Sequence, residues 1–172
     1  MASSGPRPLT EAVAVGVLGA VFSGAVGLAV GLTIPAAVIG GAIGLISGWR
    51  GIYDWSRTSG AAAFVLDSTW GLPMTSAGLF ANAWAFLQRD AGYVDDLSWR
   101  QNRHVYRRGF MPRKGFAITL GNVIGGAGPV ERKRRRRLIT DHEDVHCWQA
   151  RWRGPLFPLI YAGWTATGAV VG

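Results

Sequence analysis

Apolar positions dominate the first third of the chain. From Ala12 to Gly48 no residue is charged, a length sufficient for nearly two bilayer spans at about 20 residues each. Thr33 and Pro35 break the run near its middle, where Thr suits a helix cap and Pro the first helical turn. The pattern predicts a helical hairpin, one helix over about 12–32 and a second over about 35–53. Small residues recur every four positions in both: Gly19, Ser23, Gly27 and Gly31 in the first, Gly40, Gly44 and Gly48 in the second. Such stripes let two backbones approach closely, so they are expected to meet each other, or else a membrane-protein partner or a second copy. Trp49, Tyr53 and Trp55 interleave with Arg50 and Arg57 at the end of the second helix, the mixture found at a membrane interface.

Beyond the hairpin the apolar pattern is interrupted. Asp67, Pro73 and Asn82 fall within 59–87. Ala77, Phe80, Ala81, Trp84 and Leu87 share one helical face, which predicts a core helix over about 76–88; an amphipathic element lying on a membrane is the alternative. Asp67 either caps the following turn or faces a site. A polar loop over 90–98 leads to two short strands, 103–107 and 115–120, read as a hairpin with its turn at 109–114 around Pro112. The glycines of 125–128 read as a flexible hinge, and Gly154-Pro155 ends a later helix.

Composition turns this pattern into a fold class. Hydrophobic residues make up 49% of the 172, charged residues only 16%, and there are 25 glycines, a balance foreign to soluble domains and ordinary for small membrane proteins. The expected architecture is a mainly α integral membrane protein: a disordered tail over 1–11, a glycine-rich transmembrane helical hairpin over 12–55, a small α+β membrane-proximal domain over 59–153, and an apolar membrane-associated segment over 155–172. Basic residues follow the hairpin, so the positive-inside bias predicts a multi-pass cell-membrane protein with its polar domain in the cytoplasm. The single cysteine, Cys147, excludes an internal disulfide.

The candidate chemistry lies in the small domain. His142-Glu143-Asp144-Val145-His146 is a His-Glu-x-x-His motif in a chain with only three histidines. Leu138, His142, Val145, His146 and Gln149 fall on one helical face, within a helix over about 131–153. A spacing of four stacks both imidazoles on that face, with the glutamate beside them. Thr140 with Glu143 also fits a capping box, which would tie the glutamate to the backbone instead. Over these five residues the sequence resembles the zincin metallopeptidases. That resemblance implies zinc held by His142 and His146, with Glu143 as general base. No His, Glu or Asp follows His146, so a third ligand would come from upstream, His104 or Asp67, or else from Gln149 or Cys147. Gln149 is the better placed for a supporting role beside His146.

Arg132, Lys133, Arg134, Arg135, Arg136 and Arg137 form an unbroken basic run that needs an anionic partner. Anionic lipid head groups are favoured over nucleic acid, because no aromatic residue is interleaved and no nucleic-acid fold signature is visible. Two functions remain open at this point: a membrane-associated zinc-dependent metallopeptidase-like hydrolase, or a non-catalytic small membrane subunit or scaffold with a vestigial His-Glu-His network.

Overall fold

The computed structural model describes residues 9–113, 115–160 and 163. Two helices, α1 (Leu9–Ala29) and α2 (Thr33–Arg50), form an antiparallel pair. Gly31 closes their turn at φ +73°, a left-handed conformation that suits glycine, and the Leu32 amide donates to the Gly27 carbonyl at 2.7 Å. The stripes pack on each other: a Cβ on Gly19 would stand 2.5 Å from the Gly40 carbonyl oxygen, and one on Gly48 2.7 Å from that of Glu11. Of the occupants expected for these stripes, the chain itself is therefore the one in place. The outward faces stay apolar and exposed, with Val17, Val21 and Leu28 on α1 and Ile34 and Val38 on α2.

The expected integral membrane fold is overturned here. Among the described residues only α1 is long and apolar enough to cross a bilayer; α2 is long enough but less apolar, and does not qualify. One such helix is also what a helix packed into a soluble fold presents, so a transmembrane hairpin and a multi-pass topology lose their basis. The chain is instead mostly helical with a small sheet. The N-terminal boundary moves too. Helix α1 already includes residues assigned to a disordered tail, and Glu11 is held by Arg100 at 2.6 and 2.9 Å and by the Trp55 indole at 3.0 Å. The rest of that tail, 1–8, and most of the apolar C-terminal segment, 161–162 and 164–172, lie outside the described residues.

Helices α3 (Thr58–Ser68) and α4 (Leu72–Leu87) follow. The predicted inward face of α4 is rotated. Thr75, Gly78, Ala81, Asn82 and Ala85 are buried, while Phe80, Trp84 and Leu87 are exposed. The reason is proximity to the sheet: a Cβ at Gly78 would sit 2.9 Å from the Leu120 carbonyl oxygen, so only small side chains fit that face.

The sheet has three short strands, β1 (His104–Val105), β2 (Ile118–Leu120) and β3 (Val123–Gly125), in the order β1-β3-β2. The expected hairpin between the first two segments does not form. Strand β2 turns at Gly121 and pairs antiparallel with β3, placing Thr119 opposite Ile124, and β1 runs parallel to β3 on its other side. The expected hinge at 125–128 is fixed instead: Ala127 and Gly128 donate their amides to Tyr106 and Arg107 carbonyls at 3.0 and 2.8 Å.

After the sheet the chain is helical from Lys133 to Arg153. Helix α5 (Lys133–Arg137) passes through a π turn (Leu138–Glu143) into α6 (Asp144–Arg153). Ile139 and Cys147 bury against Val105, Ile124 and Ala127, which seats this helix on the sheet. Two bonds lock α6 further. Asp144 pairs with Arg103, and the Trp70 indole donates to the Trp152 carbonyl at 3.0 Å.

Burial makes the fold sensitive to alkali. It pushes the Cys147 thiol from about 9 up to about 12 and the Tyr106 phenol from about 10 up to about 12. The Tyr53 phenol is raised well above its ordinary value by burial first and the Asp67 carboxylate second. Each group is held neutral by the fold. Stability is therefore full below the unfolded values and is lost as pH rises through the folded ones. Melting temperature is expected to fall steadily between about pH 9 and 12, with thiolate and tyrosinate absorbance appearing together with unfolding. Full ionisation of these groups in a chain that keeps its native circular dichroism would contradict this.

Candidate metal centre

The His-Glu-x-x-His residues straddle the junction of the π turn and α6. A π turn widens the helix by one residue and is frequent at functional sites. Here it places Ile139, Glu143, Cys147 and Ala150 toward the core and leaves His142, His146 and Gln149 on the adjoining, more open face. The two imidazoles turn toward each other, Nε2 to Nε2, at 3.3 Å. Two nitrogens bound to one tetrahedral zinc at about 2.0–2.1 Å stand about 3.3–3.4 Å apart. Facing lone pairs also repel unless a proton or a cation lies between them. The His146 Nδ1–H donates to Gln149 Oε1 at 2.9 Å, so Nε2 is the ring nitrogen left with a lone pair, and the ring is fixed in the way supporting residues fix a metal-binding histidine.

Glu143 is buried, and the Thr119 hydroxyl donates to its Oε2 at 2.7 Å. That bond replaces the capping box, which does not form: the helix begins seven residues before Thr140, whose hydroxyl bonds Asp141 and the Arg136 carbonyl instead. Thr119 is a site residue that local sequence patterns do not point to, since it lies on a different element 24 positions away.

The expected third ligands lie elsewhere. His104 is fully buried between the Ser47 hydroxyl, 3.3 Å from Nε2, and the Tyr93 hydroxyl, 3.1 Å from Nδ1. Asp67 neither caps a helix nor faces the motif. It receives both arms of Arg151 at 2.9 Å, the Tyr53 hydroxyl at 3.0 Å, and Thr75 and Asn122 at 3.4 Å. Burial works against the Arg151 charge, and the Asp67 carboxylate more than offsets it, so the guanidinium is held even more firmly charged than usual. Cys147 is sealed in the core as a neutral thiol. No group of three or more His, Cys, Asp or Glu side chains comes together for a metal among the described residues.

A cleft of about 940 Å³ opens over the motif, lined by His142, Glu143 and His146 on one side and by residues 115–120 on the other. The second wall includes β2, an edge strand of the sheet, the kind of element on which an extended chain can pair. Met74, Leu138, Phe157 and several prolines make most of the remaining lining apolar, with Arg135 the exception. The basic run divides: Arg135 turns inward and donates to the Ala127 carbonyl at 2.6 Å and to that of Gly126, Arg136 pairs with Asp96 at 2.7 Å, and Arg132, Lys133, Arg134 and Arg137 are exposed.

Comparison with family models, with curated proteins and with solved structures finds no match.

Proposed function

We propose that this chain is a zinc-dependent hydrolase acting on amide bonds of an extended polypeptide. The observation that carries the reading is the convergence of His142 and His146 Nε2 at 3.3 Å beside a buried, hydrogen-bonded Glu143, in a cleft walled by an edge strand. His142 and His146 would hold the metal through Nε2, with Gln149 orienting the second ring. A bound zinc supplies Lewis acidity, acidifying water and polarising a carbonyl. The protein's own groups do the rest. Thr119 fixes one oxygen of Glu143, leaving the other to take a proton from the attacking water and return it to the departing amine. The edge of β2 would align the substrate, and the mostly apolar lining would receive its side chains.

The second reading is a non-catalytic chain in which His142, His146 and Gln149 form a hydrogen-bonded array. It is favoured by the lack of a three-ligand cluster among the described residues. Metal stoichiometry separates the two. After equilibration with zinc, wild-type protein is expected to carry about one zinc per chain and His146→Ala essentially none, with the wild type alone gaining thermal stability as zinc is added. A folded wild type that takes up no zinc would remove the hydrolase reading.

A further inference from the structure

A second groove, of about 820 Å³, adjoins the cleft, and Gly115, Arg135 and Leu138 line both. Six arginines line it: Arg107, Arg108, Arg132, Arg134, Arg135 and Arg137. Arg107 is matched by Glu131 and Arg108 by Asp90. Arg135 is anchored on main-chain carbonyls, which fixes its guanidinium in the wall common to the two cavities. Arg132, Arg134 and Arg137 are exposed and have no carboxylate partner among the described residues. One carboxylate, Asp141, lines the groove, and its oxygen is engaged by Thr140 at 2.6 Å. The groove is therefore cationic, with more arginines than carboxylates in its lining.

Shape selects the occupant. A bilayer presents a plane of head groups and meets convex surfaces, whereas a groove running on from a substrate cleft encloses a chain. Gly115 stands at its junction with the cleft, just before β2. A polypeptide paired along that edge strand and continuing past its start enters among the arginines. We infer that this groove is a subsite for a carboxylate-rich segment of the substrate, so that the cleft selects peptides bearing acidic residues a few positions from an apolar stretch. The inference rests on the hydrolase reading for the word substrate; the binding of an acidic chain can be read without catalysis.

The test uses the full chain and fluorescein-labelled peptides with one apolar centre, flanked on either side by glutamates or by glutamines, followed by anisotropy at low salt. Wild-type protein is expected to bind a glutamate peptide at least tenfold more tightly than its glutamine counterpart. Arg132→Gln/Arg134→Gln/Arg137→Gln is expected to erase that preference, since three partly exposed ion pairs together amount to about a tenfold change. The matching triple Arg→Lys variant keeps the charge and should retain most of the preference, which separates charge from folding. Equal affinity for both peptides in the wild type, or an unchanged preference in the glutamine variant, would overturn the inference. So would loss of sedimentation with phosphatidylserine vesicles in a variant whose peptide preference is intact, which would assign the arginines to lipid. A clear glutamate preference with no cleavage of any peptide at saturating zinc keeps the subsite and removes the hydrolase reading.

Discussion

Glu143→Gln is expected to lower peptide hydrolysis by about 10²–10⁴-fold while zinc content stays at the wild-type level. The substitution preserves volume, and the amide oxygen still accepts from Thr119, so the wall between cleft and sheet is undisturbed. What disappears is basicity, because an amide cannot take the proton of an attacking water. Zinc content is expected to hold because the proposed ligand atoms belong to His142 and His146, whose Nε2 atoms face each other without help from Glu143. Turnover and metal content measured on the same preparation check both halves. Wild-type turnover in the zinc-loaded variant would remove Glu143 from the reaction.

Asp67→Asn has the largest expected effect on stability, a loss of about 3–5 kcal/mol. Asp67 and Arg151 have 0% and 1% of their side chains exposed, so solvent cannot replace the lost charge. The remaining guanidinium would lie buried against Trp148 and an uncharged amide, and Tyr53 would lose an ionic acceptor. Urea denaturation gives the difference, and Asp67→Asn/Arg151→Met is expected to recover much of it, since replacing both partners removes the uncompensated charge. Where the single variant is still folded, its zinc uptake should persist, because Asp67 belongs to this network and not to the motif. Loss of zinc from a folded Asp67→Asn would restore it as a ligand.

Both predictions depend on pairings that differ in how far the sequence showed them. The break between the two opening helices falls at 30–32, so Thr33 is the first residue of α2 and not its cap, but the helices themselves are local features, legible because an uncharged run and a proline act within a few residues. The same holds for His142 above His146, which follows from helical pitch. The surroundings of the hairpin were not legible: glycine and alanine packing reads alike for a bilayer and for a packed helix pair, and α2, long enough but less apolar than α1, does not qualify as a second span. Nor was the buried face of α4, since hydrophobicity points to Phe80 and Trp84 while the nearness of β2 admits only small residues. Non-local partners left no mark. Arg151 meets Asp67 across 84 positions, β1 bypasses β2 to join β3, and Thr119 finds Glu143 from another element. His104, marked as a ligand by residue type alone, is held inside the fold by two hydroxyls.

The π turn at Leu138–Glu143 has one more consequence. It holds a single surplus residue between the arginines of α5 and the histidines beyond, and each helical residue advances the face by about 100°. That surplus residue sets the phase between a charged face and the face that carries His142 and His146 on one continuous rod. Lengthening or shortening the turn by one residue would leave both sets of side chains intact and swing the arginines about a quarter of the way around the axis, so that Arg135 would leave the wall that cleft and groove share.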